Sequence, residues 1–360
     1  MLINDYLNNR NNNFNIIRFI AASLVLYAHS FPLLFGKDGI DPFKIFIGMH
    51  LGEVAVDIFF ITSGFLIANS FFRKKSILSF VWARFLRIYP ALFISVLFCI
   101  FLGFFFSNLD FRDYFFNYET VKFFLKNISL FFGVEYYLPN VFSENPYSSA
   151  INGSLWTLPW EVKMYLYLVV IGTLILFMKD IFHNDKLIKI TFVSISLIST
   201  FLYILDHFYN ILPHNFIRLF TFFFLGVMYY VLKDNIKLSK KILIVFIILL
   251  IFASFLNKDL FFILYILFLP YVILSLSYIP EGMIRQFNNY GDYSYGIYIY
   301  AFPIQQTIVF LIPNISISEM IAYSFIITLM FAILSWHLIE SKCLKLKNIF
   351  FLTKEVNGYK

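Results

Sequence analysis

Residues 16–35 read IIRFIAASLVLYAHSFPLLF, an apolar stretch that holds Arg18 and His29 and contains no acid. As an α-helix these residues rise about 30 Å, the thickness of a bilayer's hydrocarbon core. Arg18 and His29 then share nearly one face, about 16 Å apart along the axis. Ionisable groups are costly at membrane depth and belong in bundle interiors or wet cavities, so this stripe points to chemistry inside a bilayer.

Composition extends that reading to the whole chain. Of 360 residues, 60% are hydrophobic, 22% aromatic and only 14% charged, against roughly 25% charged in soluble globular chains. Strands of an outer-membrane barrel alternate in segments of about ten residues. Here apolar residues occupy consecutive positions, as suits helices that satisfy their own backbone in lipid. The expected fold is all-α, a polytopic membrane bundle with spans at 16–35, 51–71, 88–107, 156–178, 188–206, 216–232, 242–257, 260–277, 293–312 and 319–339.

Basic residues orient these ten spans. With the N-terminus inside, the internal segments receive Arg73, Lys74, Lys75, Arg84, Arg87, Lys179, Lys186, Lys189, Lys233, Lys237, Lys240, Lys241 and Arg285, and the tail adds Lys342, Lys345, Lys347, Lys354 and Lys360. The opposite side receives only Lys37, Lys44, Arg112, Lys122, Lys126, Arg218 and Lys258, which places both termini in the cytoplasm. The net charge of +7 is thereby topological, and no nucleic-acid partner is expected. The polar start, 1–15, lacks a signal-peptide layout. Cys99 and Cys343 suggest neither a disulfide framework nor a thiolate cluster, and no metal is expected. The long outer connection, 108–155, divides into a candidate interfacial helix over 114–132 and an ordered loop or partial lid over 136–153.

Five groups break the apolar background. Arg18 and His29 sit among Ala21, Ala22, Ser23, Ala28 and Ser30, small residues that permit close helix packing. A neutral histidine there can act as a general base toward a hydroxyl, or simply bond across a helix interface. Glu53 and Asp57 lie one turn apart and call for water, a cation or a partner such as Arg18. Arg84 and Arg87, near Arg73, Lys74 and Lys75, make a basic patch suited to phosphates, although the positive-inside bias alone yields several such charges. Glu161 enters span four between Trp160 and Lys163 and needs a partner that a regular helix does not make of Lys163. The fifth group joins 294–298 to Trp336, His337 and Glu340, where interfacial anchoring is the plain explanation for His337 and Glu340.

In order along the chain, NIIRFIAASLVLYAH (15–29), GEVAVDIFFITSGFLI (52–67), FVWARFLRIYP (80–90), residues 152–167, residues 292–303 and SWHLIE (335–340) resemble the acyltransferase-3 family of integral membrane acyltransferases. The resemblance implies a single domain over 1–342, including the outer loop 108–155, followed by a short cytoplasmic tail, 343–360. It further implies O-acyl transfer, most simply O-acetyl transfer, from cytoplasmic acyl-CoA, chiefly acetyl-CoA, to a hydroxyl of a cell-surface glycan or lipid-linked sugar. The setting would be the bacterial inner membrane, among membrane lipids and polysaccharide-assembly proteins. His29 matches the family's first-helix histidine, Arg18 the arginine of that helix, Arg84 and Arg87 its Arg-x-x-Arg donor element, and Asp57 and Glu161 the acids of its second-helix and Trp-rich motifs. One departure is Ala301 before Phe302-Pro303, where many members have histidine. A transporter or permease of a polar solute or glycan precursor is the competing class, since buried ions and a polar route also suit substrate movement.

Overall fold

The computed structural model describes residues 1–7, 11–73 and 76–347. Lys74 and Lys75 of the basic patch, Lys354, Lys360 and most of the expected tail lie outside the described residues. Ten long helices follow one another: α1 Phe14–Phe35, α2 Leu51–Arg73, α3 Ile77–Phe105, α4 Leu158–Phe182, α5 Lys186–Tyr209, α6 His214–Val231, α7 Lys240–Leu256, α8 Lys258–Tyr278, α9 Ser294–Leu311 and α10 Ile317–Ser335. Each of the ten predicted spans overlaps one of them. Among the described residues the only β pairing is two isolated bridges, Leu2 with Lys237 and Tyr137 with Ala150.

Helix ends follow local chemistry. Asn257 accepts from the amides of Asp259 and Leu260 to start α8, and Ser316 forms a reciprocal box with Glu319 to start α10. Among the described residues seven helices are long and apolar enough to cross a membrane: α1, α2, α3, α4 with the 3₁₀ turn Gly153–Thr157 before it, α5, α8, and α10 with its continuation to Lys345. The chain is thus an all-helical, multi-pass membrane protein. Its apolar residues face outward as well as inward: Phe177, Leu197 and Phe255 are all more than half exposed, which water would penalise and lipid does not.

The helices fall into two units. The first takes the start of α1, then α2, nearly all of α4, and α5 to α8. Its centre is the crossing of α2 and α6, made close by glycine: a Cβ on Gly64 would stand 2.0 Å from the Phe223 carbonyl oxygen, and one on Gly226 2.2 Å from that of Ile61.

The second unit takes the rest of α1, α3, the long connection, α9 and α10. Where a helix was expected over 114–132, two are present, Phe111–Phe115 and Tyr118–Ser129. The segment 136–153 is ordered by buried Leu138, Val141 and Phe142. Pro303 cannot donate to the Ile299 carbonyl one turn back. That oxygen is met instead by Ser95 Oγ at 3.2 Å and Asn152 Nδ2 at 2.9 Å, which fastens α3 and the start of the 3₁₀ turn to α9. Past α10 the chain makes a π-helical turn, Trp336–Glu340, before the short helix Ser341–Lys345.

Candidate active site

The six residues singled out in the sequence divide evenly between the units. Arg18, Asp57 and Glu161 belong to the first, and His29, Arg84 and Arg87 to the second.

Asp57 is fully buried on α2, and both its oxygens are engaged. Arg218 Nε donates to Oδ1 at 2.9 Å and the Tyr265 hydroxyl to Oδ2 at 2.8 Å. Arg218 also reaches the Glu53 carbonyl oxygen and, at 3.5 Å, the Glu53 carboxylate. Arg218 thus supplies a cation to the Glu53–Asp57 pair. Arg218 is a buried side chain of α6, not one of the outer-loop charges. The sequence signal that could have found it was present: two carboxylates on one apolar helix demand a cation, and Arg218 follows the polar start of another. Arg18 lies with its guanidinium carbon 5.8 Å from the Phe59 ring centroid, a cation–π contact.

Glu161 finds its partner one turn further along α4, where the Tyr165 hydroxyl donates to Oε1. With that proton committed, the contact between Ser63 Oγ and the Tyr165 oxygen, 3.1 Å, has Ser63 as donor. Lys163 points elsewhere, onto the Trp160 ring at 4.5 Å, as helical spacing requires.

In the second unit Arg87 is held by two carboxylates, Asp292 at 2.6 Å and Glu340 at 3.3 Å. Asp292 also accepts from the amide and hydroxyl of Ser294 at the start of α9, and Glu340 from Ser335 Oγ at 3.0 Å. Glu340 is buried within the π-helical turn, so its role exceeds interfacial anchoring. A π turn shifts the following side chains relative to an α-helix and recurs at functional sites. Arg84, one turn before Arg87, lies 5.8 Å from the Phe80 ring centroid.

His29 differs from all of these. The residue is half-buried, and its ring packs edge-on against Phe302 at 5.4 Å between centroids. Its Nδ1 is closed off from solvent and has no hydrogen-bond partner among the described residues. Buried polar atoms are nearly always paired, so an unmet ring nitrogen on a half-buried histidine marks His29 as the candidate for proton chemistry. Phe302 is itself wedged: a Cβ on Gly153 would come within 2.6 Å of it. A larger residue there would push the Phe302 ring away, which suits the Gly153 of the Trp-rich motif to that approach.

A family profile described as an acyltransferase domain matches residues 11–340, which takes in every residue described above and ends at Glu340. The chain belongs to the acyltransferase-3 family. An O-acetyl transferase of Shigella phage Sf6 is 30% identical over 350 residues, 93% of this chain and 96% of that protein. Nodulation protein 10 of Rhizobium leguminosarum bv. viciae is 36% identical over 93 residues, about a quarter of each chain. No solved structure matches. This acyltransferase-3 chain is accordingly an enzyme, a membrane O-acyltransferase, and the transporter alternative falls.

Proposed function

We propose that the protein moves an acyl group, acetyl in the simplest case, from cytoplasmic acyl-CoA to a hydroxyl of a cell-surface glycan or lipid-linked sugar. The setting is the bacterial cytoplasmic membrane, with ten crossings and both termini inside. The single observation that carries the chemistry is the unmet Nδ1 of a partly accessible His29. The imidazole removes the acceptor's hydroxyl proton as its oxygen attacks the thioester carbonyl. Collapse of the tetrahedral adduct then expels the CoA sulfur, which takes the proton back. The donor's phosphates meet Arg84 and Arg87. Arg87 is also bridged to Asp292 and Glu340, so it joins α3 to the start of α9 and to the π-helical turn as well. Arg18 adds positive charge on the donor side of α1. Asp57 acts by fixing Arg218 and Tyr265, and Glu161, with Tyr165 and Ser63, is a second acid–base group.

The test is transfer of labelled acetyl from acetyl-CoA to surface glycan by the purified protein in vesicles. Transfer that requires His29 and retention of acetyl-CoA binding by His29→Ala support the reading. Wild-type transfer by His29→Ala would end it. Arg84→Ala should raise the KM for acetyl-CoA about tenfold, the loss of one charge-assisted bond. An unchanged KM rejects the donor assignment.

A further inference from the structure

Helix α9 grips the turn of α1 that carries His29 at two points. Phe302 touches the imidazole, and Gln305, one turn further along α9, is fully buried and reaches the α1 backbone. Gln305 Nε2 donates to the Leu26 carbonyl oxygen at 2.9 Å and to Ser30 Oγ at 2.8 Å. Ser30 Oγ in turn donates to that same carbonyl at 3.0 Å. Leu26 and Ser30 bracket His29, so this clasp fixes the rotation of α1 where the imidazole leaves the helix. Both amide hydrogens are used on α1, while Oε1 is buried with no partner among the described residues. A side chain chosen only to fill volume here would be Leu or Met, which carry no unmet acceptor.

Gln306, the next residue, makes the same kind of attachment on the other side. Its Nε2 donates to the carbonyls of Tyr147 and Ala150, each at 2.8 Å, and its own Oε1 accepts from Asn145 Nδ2 at 2.7 Å. Adjacent glutamines thus fasten the ordered outer segment and the His29 turn to one stretch of α9.

The geometry points to Gln305 as a positioning residue of the transfer reaction: its amide holds the Leu26–Ser30 turn so that the His29 ring stands against Phe302 in the orientation proton removal requires. This rests on the reading of His29 as the base. A catalytic group displaced by about 1 Å loses on the order of a hundredfold in rate.

Gln305→Met keeps the volume and removes both donated bonds. It should lower kcat about 100-fold while the KM for acetyl-CoA stays within about twofold. Because the amide acts through the imidazole, adding Gln305→Met to His29→Ala should cost nothing further. A structural role would instead give multiplying losses. Wild-type kcat in Gln305→Met, or a full additional loss in the double variant, overturns the inference. Should Gln305→Met fail to accumulate, Ser30→Ala removes only one of the two acceptors and should lower kcat about threefold to tenfold. Wild-type kcat there overturns it equally. Wild-type transfer by His29→Ala brings down the base reading itself, whereas inactive His29→Ala with fully active Gln305→Met removes only the role of Gln305.

Discussion

Asp57 in the first unit and His29 in the second stand out in the sequence for the same reason, an ionisable group in an apolar helix, yet the fold treats them in opposite ways. Asp57 has a guanidinium on one oxygen and a tyrosine hydroxyl on the other. His29 has an aromatic ring beside it and nothing bonded to its buried Nδ1. A buried carboxylate with both oxygens engaged holds helices together, and removing it takes a partner from each group bonded to it. A histidine whose buried nitrogen is left unmet ties no helices together, and its imidazole is not committed to a structural bond there.

That contrast can be broken by four substitutions, the largest effect first. His29→Ala should lower transfer by about 10²- to 10⁴-fold with little change in thermal denaturation. Activity loss accompanied by equal loss of fold would move His29 to the same class as Asp57. Asp57→Ala should reverse the pattern, destabilising the protein by about 3–5 kcal/mol, because buried Arg218 loses its 2.9 Å carboxylate and keeps only the 3.5 Å one of Glu53 among those described. The melting curve of Asp57→Ala combined with Arg218→Met sharpens the point, because removing the cation should recover part of that loss. Gly64→Ala probes the crossing on which the Asp57–Arg218 contact depends. A methyl group against the Phe223 carbonyl should cost about 1–3 kcal/mol, and an undisturbed melting temperature would mean that α2 and α6 can separate freely. At the small end, Lys122→Ala breaks a 2.6 Å pair with Glu135 outside the spanning helices. It should leave both the melting temperature and transfer unchanged.

Much of this was legible beforehand, and for definite reasons. Helix positions follow from apolar run length, which is a local property, so α1 and α8 begin and end near where the residues foretell. The partner of Asp57 was legible only as a need. Sequence shows that Glu53 and Asp57 share a helix face, but which cation answers them depends on α6 crossing α2 at Gly64 and Gly226. Arg87 looked like a plain donor-binding charge because Asp292 and Glu340 lie 205 and 253 positions away. Gln305 carried no signal, since an uncharged amide in an apolar span is conspicuous only once its donors are seen on Leu26 and Ser30.

The sequence by itself determined that this chain is helical, embedded in membrane and built on the ordered motifs of an O-acyltransferase family, because hydropathy, helical period and motif order are properties of neighbours along the chain. Tertiary structure alone decided which ionisable groups are satisfied and which are left open, because a buried group's partner is set by helix crossings between residues far apart in sequence. The Arg18–His29 stripe carries both lessons. The two share one unbroken helix, as spacing required, but only the packing of α9 against the Leu26–Ser30 turn separates a histidine with an open nitrogen from an ordinary buried one.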